Sequence, residues 1–116
     1  MRYLVLTDIH ANLEALDASL AHARARGFDR TLVLGDLVGY GPDPNTVVDR
    51  VMALQPFAIV RGNHDKVAVG LEQADGFNAV ARNAARWTLD VLTAQHRKWL
   101  AELPMGPIDV DEIVQI

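Results

Sequence analysis

The chain has 116 residues, half of them hydrophobic and 22% charged, with a formal net charge of -4. That length suits one domain with a modest core, and the acidic balance argues against a general affinity for nucleic acid or an anionic membrane surface. No cysteine is present, so disulfides, thiolate metal sites and a cysteine nucleophile are excluded, and any metal must be held by Asp, His, Asn or Glu.

The opening apolar run reaches Thr7-Asp8 too soon to form a signal-peptide core. No later run approaches the roughly 18 apolar residues of a membrane span, so a cytoplasmic location and no membrane partner are expected. Tyr3-Leu4-Val5-Leu6 reads as a strand and ends in Thr7-Asp8-Ile9-His10. Asn12 can cap a following helix, in which Leu13, Leu16, Leu20 and Ala23 recur at helical spacing and Gly27 supplies a stop. Thr31-Leu32-Val33-Leu34 reads as a second strand, ending in Gly35-Asp36. Asp43-Pro44 then opens a second helix that continues through Val47, Val48, Val51, Met52 and Leu54. The third apolar run, Phe57-Ala58-Ile59-Val60, ends in Arg61-Gly62-Asn63-His64-Asp65, and its glycine and asparagine predict a tight turn. Strand, helix, strand, helix, strand at this spacing predicts an α/β fold of parallel β-α-β units with right-handed crossovers.

From about Phe77 to Leu103 the chain predicts helix, with Val80, Ala84, Trp87, Val91 and Leu92 along one face and a second helix restarting at Thr93. Pro104-Met105-Gly106-Pro107 breaks it. The segment "IDVDEIVQI" begins with strand-like alternation. His22 and His96 fall among charged residues on predicted helices and read as solvated surface.

The polar residues after the strands share a type and a place. Asp8 and His10 follow the first, Asp36 the second, Asn63 and His64 the third. In a parallel sheet all three carboxyl ends lie on one edge, where α/β proteins keep their sites. Alternation along an extended segment turns Asp8 and His10 toward one side. A carboxylate, imidazole and amide donor set suits Mn, Fe or Zn. Taken singly, Asp-x-His reads as a helix-capping turn and Gly-Asn as a turn dipeptide; the succession of three clusters after three strands favours a common site.

The blocks "DIH", "GDLVG" and "RGNHD" resemble the consecutive signatures of calcineurin-like metallophosphoesterases, which run D-x-H, GD-x-x-G/D and GNH-D/E. The loop "GDLVGYGPDPN" is similar to that of bacterial members grouped with diadenosine tetraphosphatases and small phosphodiesterases. The resemblance implies the N-terminal half of a four-layer αββα sandwich and metal-dependent hydrolysis of phosphomonoesters or phosphodiesters. Two divalent metal ions are implied, manganese first, with iron or zinc as alternatives. Asp8 and His10 would bind the first metal, Asp36 would bridge both, and Asn63 would bind the second through its amide oxygen. His64 would be catalytic, protonating the leaving oxygen or stabilising the phosphoryl group. Two cations about 3.5–4 Å apart can neutralise charge building on phosphate and activate the attacking oxygen.

Protein phosphatases of the family carry Asp and Arg where this chain has Gly39 and Tyr40, which argues against a phosphoprotein and leaves a small, nucleotide-like phosphate ester as the expected partner. Tyr40 either stacks on an aryl group or packs its loop; Arg61 either meets phosphate or makes a structural salt bridge. Family members continue into a half that supplies further histidine ligands, and His96 matches none of them. Residues 1–116 therefore read as a single, apparently truncated metallophosphoesterase-like domain, expected to self-associate or to be completed by missing C-terminal polypeptide. The alternative readings are a non-catalytic fragment or binding module retaining the fold, and a plain nucleotide-binding β-α-β domain, which the lack of a glycine-rich loop after the first strand weakens.

Overall fold

Three short strands, β1 (Tyr3–Leu6), β2 (Arg30–Val33) and β3 (Ala58–Ile59), lie side by side in that order and run parallel in the computed structural model, which describes residues 1–116. Helix α1 (Leu13–Arg26) connects β1 to β2, and α2 (Pro44–Leu54) connects β2 to β3. The capping expected at Asn12 is present: its side-chain oxygen accepts the Ala15 N–H at 3.1 Å, and Gly27, at φ +79°, ends the helix. Pro44 opens α2, where its missing N–H costs no helical bond.

Two crossovers of one hand, stepping in one direction through the sheet, put α1 and α2 on the same face. The register sets Leu6 beside Val33 and Val33 beside Ile59, so these side chains share that face. There they meet Leu16 and Leu20 of α1 and Val47, Val48 and Val51 of α2. Three further helices, α3 (Asn63–Ala68), α4 (Ala79–Val91) and α5 (Ala94–Ala101), extend the same core through Ala68, Leu92, Leu100 and Leu103. The result is the expected mixed α/β architecture: parallel β-α-β units followed by helices.

Several local expectations are corrected. Asn63 and His64 do not sit in a turn; they open α3, whose first N–H groups are satisfied partly by the carboxylates of Asp36 and Asp65. The predicted apolar face of the helix after Phe77 is rotated. α4 buries Ala81, Ala85 and Thr88, while Val80 is 70% and Trp87 44% exposed. Small residues let α4 approach α3 and α2 closely, which large side chains on that face would prevent. The restart at Thr93 is present, with its hydroxyl accepting the His96 N–H at 3.1 Å.

His96 is not surface: it is buried, its Nδ1 bonded to Asn45 Oδ1 and its Nε2 to Asp49 Oδ1, both at 2.7 Å. Arg61 does not make the structural salt bridge considered for it. It donates to the carbonyl of Ala101, the last residue of α5, at 2.7 Å, a cation at a helix C-terminus. The segment after Pro107 folds back on itself as a small hairpin, Ile108 and Ile116 exchanging backbone hydrogen bonds, and the Tyr3 hydroxyl ties it down through Asp111. The strand-like alternation read there thus pairs within the segment itself.

Candidate metal centre

Beyond the end of β1 the chain continues to pair with the loop after β2. Asp8 N–H donates to the Gly35 carbonyl at 3.1 Å, His10 N–H to Asp36 at 2.9 Å, and Ala11 N–H to Leu37 at 2.8 Å. The first two loops are thus stapled together before any side chain is considered. They also carry most of the backbone strain: six non-glycine residues have positive φ, and five of them are Asp8, His10, Ala11, Asp36 and Tyr40. Such conformations persist only where surrounding contacts enforce them, and they concentrate at functional sites.

The third loop closes on the second through two glycines. A Cβ on Gly35 would lie 2.6 Å from the Gly62 nitrogen, and one on Gly62 would lie 2.1 Å from Asp36 Oδ1. Only bare backbone permits that approach. Asp65 then locks it. Fully buried, its carboxylate accepts the N–H groups of Asp36 at 2.8 Å, Val38 at 3.1 Å and Gly62 at 2.9 Å. Burial pushes its pKa up to about 6, against the opposing pull of those three donors. The role of Asp65 was not read from the sequence, although its position three residues after the Gly62 cap is where an acidic side chain reaches back to a helix start.

These staples bring Asp8, His10, Asp36 and His64 together. The Nδ1 of His10 bonds the Val38 carbonyl at 3.1 Å, which makes it the protonated nitrogen and leaves Nε2 free. Nε2 lies 3.4 Å from Asp8 Oδ1 and 3.9 Å from Asp36 Oδ2. Ligand atoms of His10, Asp36 and His64 fall within 4.8 Å of one another. Side-chain exposure grades from 61% at Asp8 to 15% at Asp36, so Asp8 stands at the rim and Asp36 at the base. The Thr7 hydroxyl, at 2.6 Å, holds the Asp8 carboxyl below its usual pKa range, with His10 adding to the effect. Asn63 is exposed at the first position of α3, between Gly62 and His64.

His64 donates its backbone N–H to Asp36 Oδ1 at 3.0 Å, and its ring is enclosed by other rings. Phe77 lies 4.5 Å away between centroids, and Tyr40 and His10 each lie 4.9 Å away. Burial lowers its pKa, which Asp36 opposes. Tyr40 therefore packs its loop against the two histidines while its ring stays half exposed. The donor set fits a divalent cation: oriented imidazole, carboxylates at two depths, and no soft ligand.

The fold and this cluster define an α/β protein with a candidate metal centre on the carboxyl edge of its parallel sheet. The calcineurin-like phosphoesterase family matches residues 1–113. The chain belongs to that family, whose members are phosphoester hydrolases and which implies divalent metal ions. It is 42% identical over 101 residues to an uncharacterized protein of Methanocaldococcus jannaschii, covering 87% of this chain and 41% of that protein. It is also similar to the crystal structure of a metallophosphoesterase from Sphaerobacter thermophilus, with 46% identity and a TM-score of 0.76, covering 94% of this chain and 44% of that one. A third similarity, to a protein assigned provisionally as a diadenosine tetraphosphatase, has 26% identity and a TM-score of 0.61, covering 89% of this chain and 43% of that one. The chain thus spans less than half the length of these relatives. No helix is long and apolar enough to cross a membrane.

Proposed function

We propose that this chain carries the metal-binding and phosphoryl-facing residues of a metal-dependent phosphoesterase that hydrolyses phosphomonoesters or phosphodiesters at a dinuclear site. Asp8 and His10 would hold one cation, Asp36 would reach both, and Asn63 would bind the second through its amide oxygen. Manganese is the first choice by family resemblance, and iron or zinc would suit the same donor set. The observation that carries the reading is the convergence of His10, Asp36 and His64 at the base of a strained, stapled set of loops. Bound there, divalent cations supply charge neutralisation at the phosphoryl oxygens and a lowered pKa for water.

The chain's own residues do the rest. His10 is held by Val38 in the tautomer that presents Nε2, and Asp36 is fixed at the base by its own backbone bond to Asp65. Burial lowers the pKa of His64, which Asp36 opposes, and its place beside His10 and Asp36 suits either a hydrogen bond to the phosphoryl group or proton donation to the leaving oxygen. The neighbour provisionally assigned to diadenosine tetraphosphate supports a nucleotide-like phosphate ester as substrate. We place the protein in the cytoplasm and infer that its exposed apolar surface meets another polypeptide segment or a second copy.

The test is His64→Ala assayed with p-nitrophenyl phosphate and bis-p-nitrophenyl phosphate in the presence of manganese. Turnover is expected to fall by roughly 10²–10³, the cost of losing one transition-state donor, with bound metal unchanged. Loss of metal in this variant would make His64 a ligand instead. A second reading, a binding module without catalysis, is supported by His96. That histidine is engaged at both nitrogens within the fold and cannot serve as a ligand. Manganese binding without any turnover of either ester would favour the module.

A further inference from the structure

His64 has a ring nitrogen with nothing to hold it. Nδ1 is buried and has no hydrogen-bond partner, although a histidine used in chemistry is ordinarily oriented through its second nitrogen. The space against it belongs to Gly39: a Cβ built there would lie 3.0 Å from Nδ1 and 3.2 Å from the His64 Cβ, and Gly39 has φ +93°. No side chain at position 39 orients the imidazole. Three rings from three different loops surround it instead. Phe77 lies at 4.5 Å with an interplanar angle of 35°, Tyr40 at 4.9 Å and 41°, and His10 at 4.9 Å and 77°.

We propose that Phe77, with Tyr40, is a positioning residue for His64, fixing by ring packing the orientation that a hydrogen bond to Nδ1 would otherwise set. The inference rests on the reading of His64 as the phosphoryl-facing group. Rings packed at these separations prefer particular mutual orientations, and together they hold the imidazole in one rotamer. The tautomer follows from the same geometry. A proton on Nδ1 would be buried without an acceptor, and an orphaned N–H is rarer than an orphaned lone pair in folded proteins. The proton therefore sits on Nε2, which makes that nitrogen the donor. Phe77 precedes α4 rather than following a strand, so the loop between α3 and α4 contributes to the site without supplying a ligand.

The test is long-range proton–nitrogen correlation NMR of the histidine rings in ¹⁵N-histidine-labelled protein without metal, comparing wild type, Phe77→Leu, Phe77→Tyr and Tyr40→Leu. In wild type, His64 is expected in the Nε2–H tautomer, with ring protons displaced upfield by the two aromatic neighbours. Phe77→Leu keeps the site filled but removes the ring current and the clamp, so the displacement should collapse and the ring signals should broaden as more than one rotamer is visited. Phe77→Tyr should restore the wild-type pattern. His64 signals in Phe77→Leu and Tyr40→Leu that match wild type, or an Nδ1–H tautomer in wild type, would overturn the proposal. With metal and ester substrate present, Phe77→Leu should lower kcat by roughly ten- to 100-fold at unchanged KM, as expected for a misplaced group. Full activity in His64→Ala would defeat the role of His64 itself, a failure separate from the NMR result.

Discussion

Asp65 makes no contact that chemistry requires, yet three backbone N–H groups from two loops converge on it. A buried carboxylate is costly unless such donors compensate, and here the compensation is partial, leaving its pKa at about 6 against an ordinary 3.8. The sign of the linkage follows. Between those two values the folded chain keeps a proton that the unfolded chain has released, so the stability this group contributes is largest below the unfolded value and falls as pH rises through the folded one. At 1.36 kcal/mol per unit the fall is about 3 kcal/mol. The stability difference between wild type and Asp65→Asn, from urea unfolding, is therefore expected to shift against wild type by about that amount between pH 4 and pH 7. A difference independent of pH would contradict the assignment of Asp65 as a strained buried anchor. Of this only the bond to Gly62 can be read in the block "RGNHD", because the partners of Asp65 at positions 36 and 38 are distant in sequence.

Helices α2 and α5 are joined through one histidine. Asn45 fixes the geometry: its side-chain oxygen accepts from Thr93 N–H at 3.0 Å as well as facing His96, and its amide nitrogen donates to the Val91 carbonyl at 2.9 Å. With Asp49 on Nε2, both nitrogens of His96 bridge the start of α5 to α2. His96→Ala is expected to destabilise the fold by about 2–4 kcal/mol, two hydrogen bonds, one of them to a carboxylate. His96→Gln, which can replace one of the bonds, should lose less. Chemical unfolding that places His96→Ala within about 0.5 kcal/mol of wild type, the range of ordinary surface substitutions, would return the residue to the surface role its sequence neighbours suggest. Elements were legible where one signal dominated. The Asn12 cap, Pro44 and the Thr93 restart are local and stand where expected. α3 is six residues long and opens on Gly-Asn, so turn chemistry outweighed its helical signal. In α4 the large apolar residues face outward and the small ones inward, a choice made by close helix packing and not by hydrophobicity.

The whole molecule is covered unevenly. Its helices share the core face of the sheet, while Val5 on the opposite face is 50% exposed and Val80 and Trp87 stand out from α4. Apolar surface of this kind favours association. Light scattering at increasing concentration is expected to show a dimer or larger species, and Val80→Lys with Trp87→Lys is expected to shift it toward monomer. A monomer at all concentrations would contradict the expectation. The juxtaposition of Asp8, His10, Asp36 and His64 was legible as residue types at three strand ends, because sheet topology alone carries them to one edge. What sequence could not supply was its depth: Asp36 at the base, Asp8 at the rim, and His64 enclosed by rings. That depth ranks the proposed ligands. The most direct measurement is calorimetric titration of manganese into wild type, Asp36→Asn and Asn63→Ala. Saturable binding to wild type is expected, weakened more by Asp36→Asn than by Asn63→Ala, since the carboxylate proposed as the bridge would serve both cations. No saturable binding to wild type, or a loss in Asn63→Ala equal to or greater than that in Asp36→Asn, would contradict a metal centre founded on Asp36.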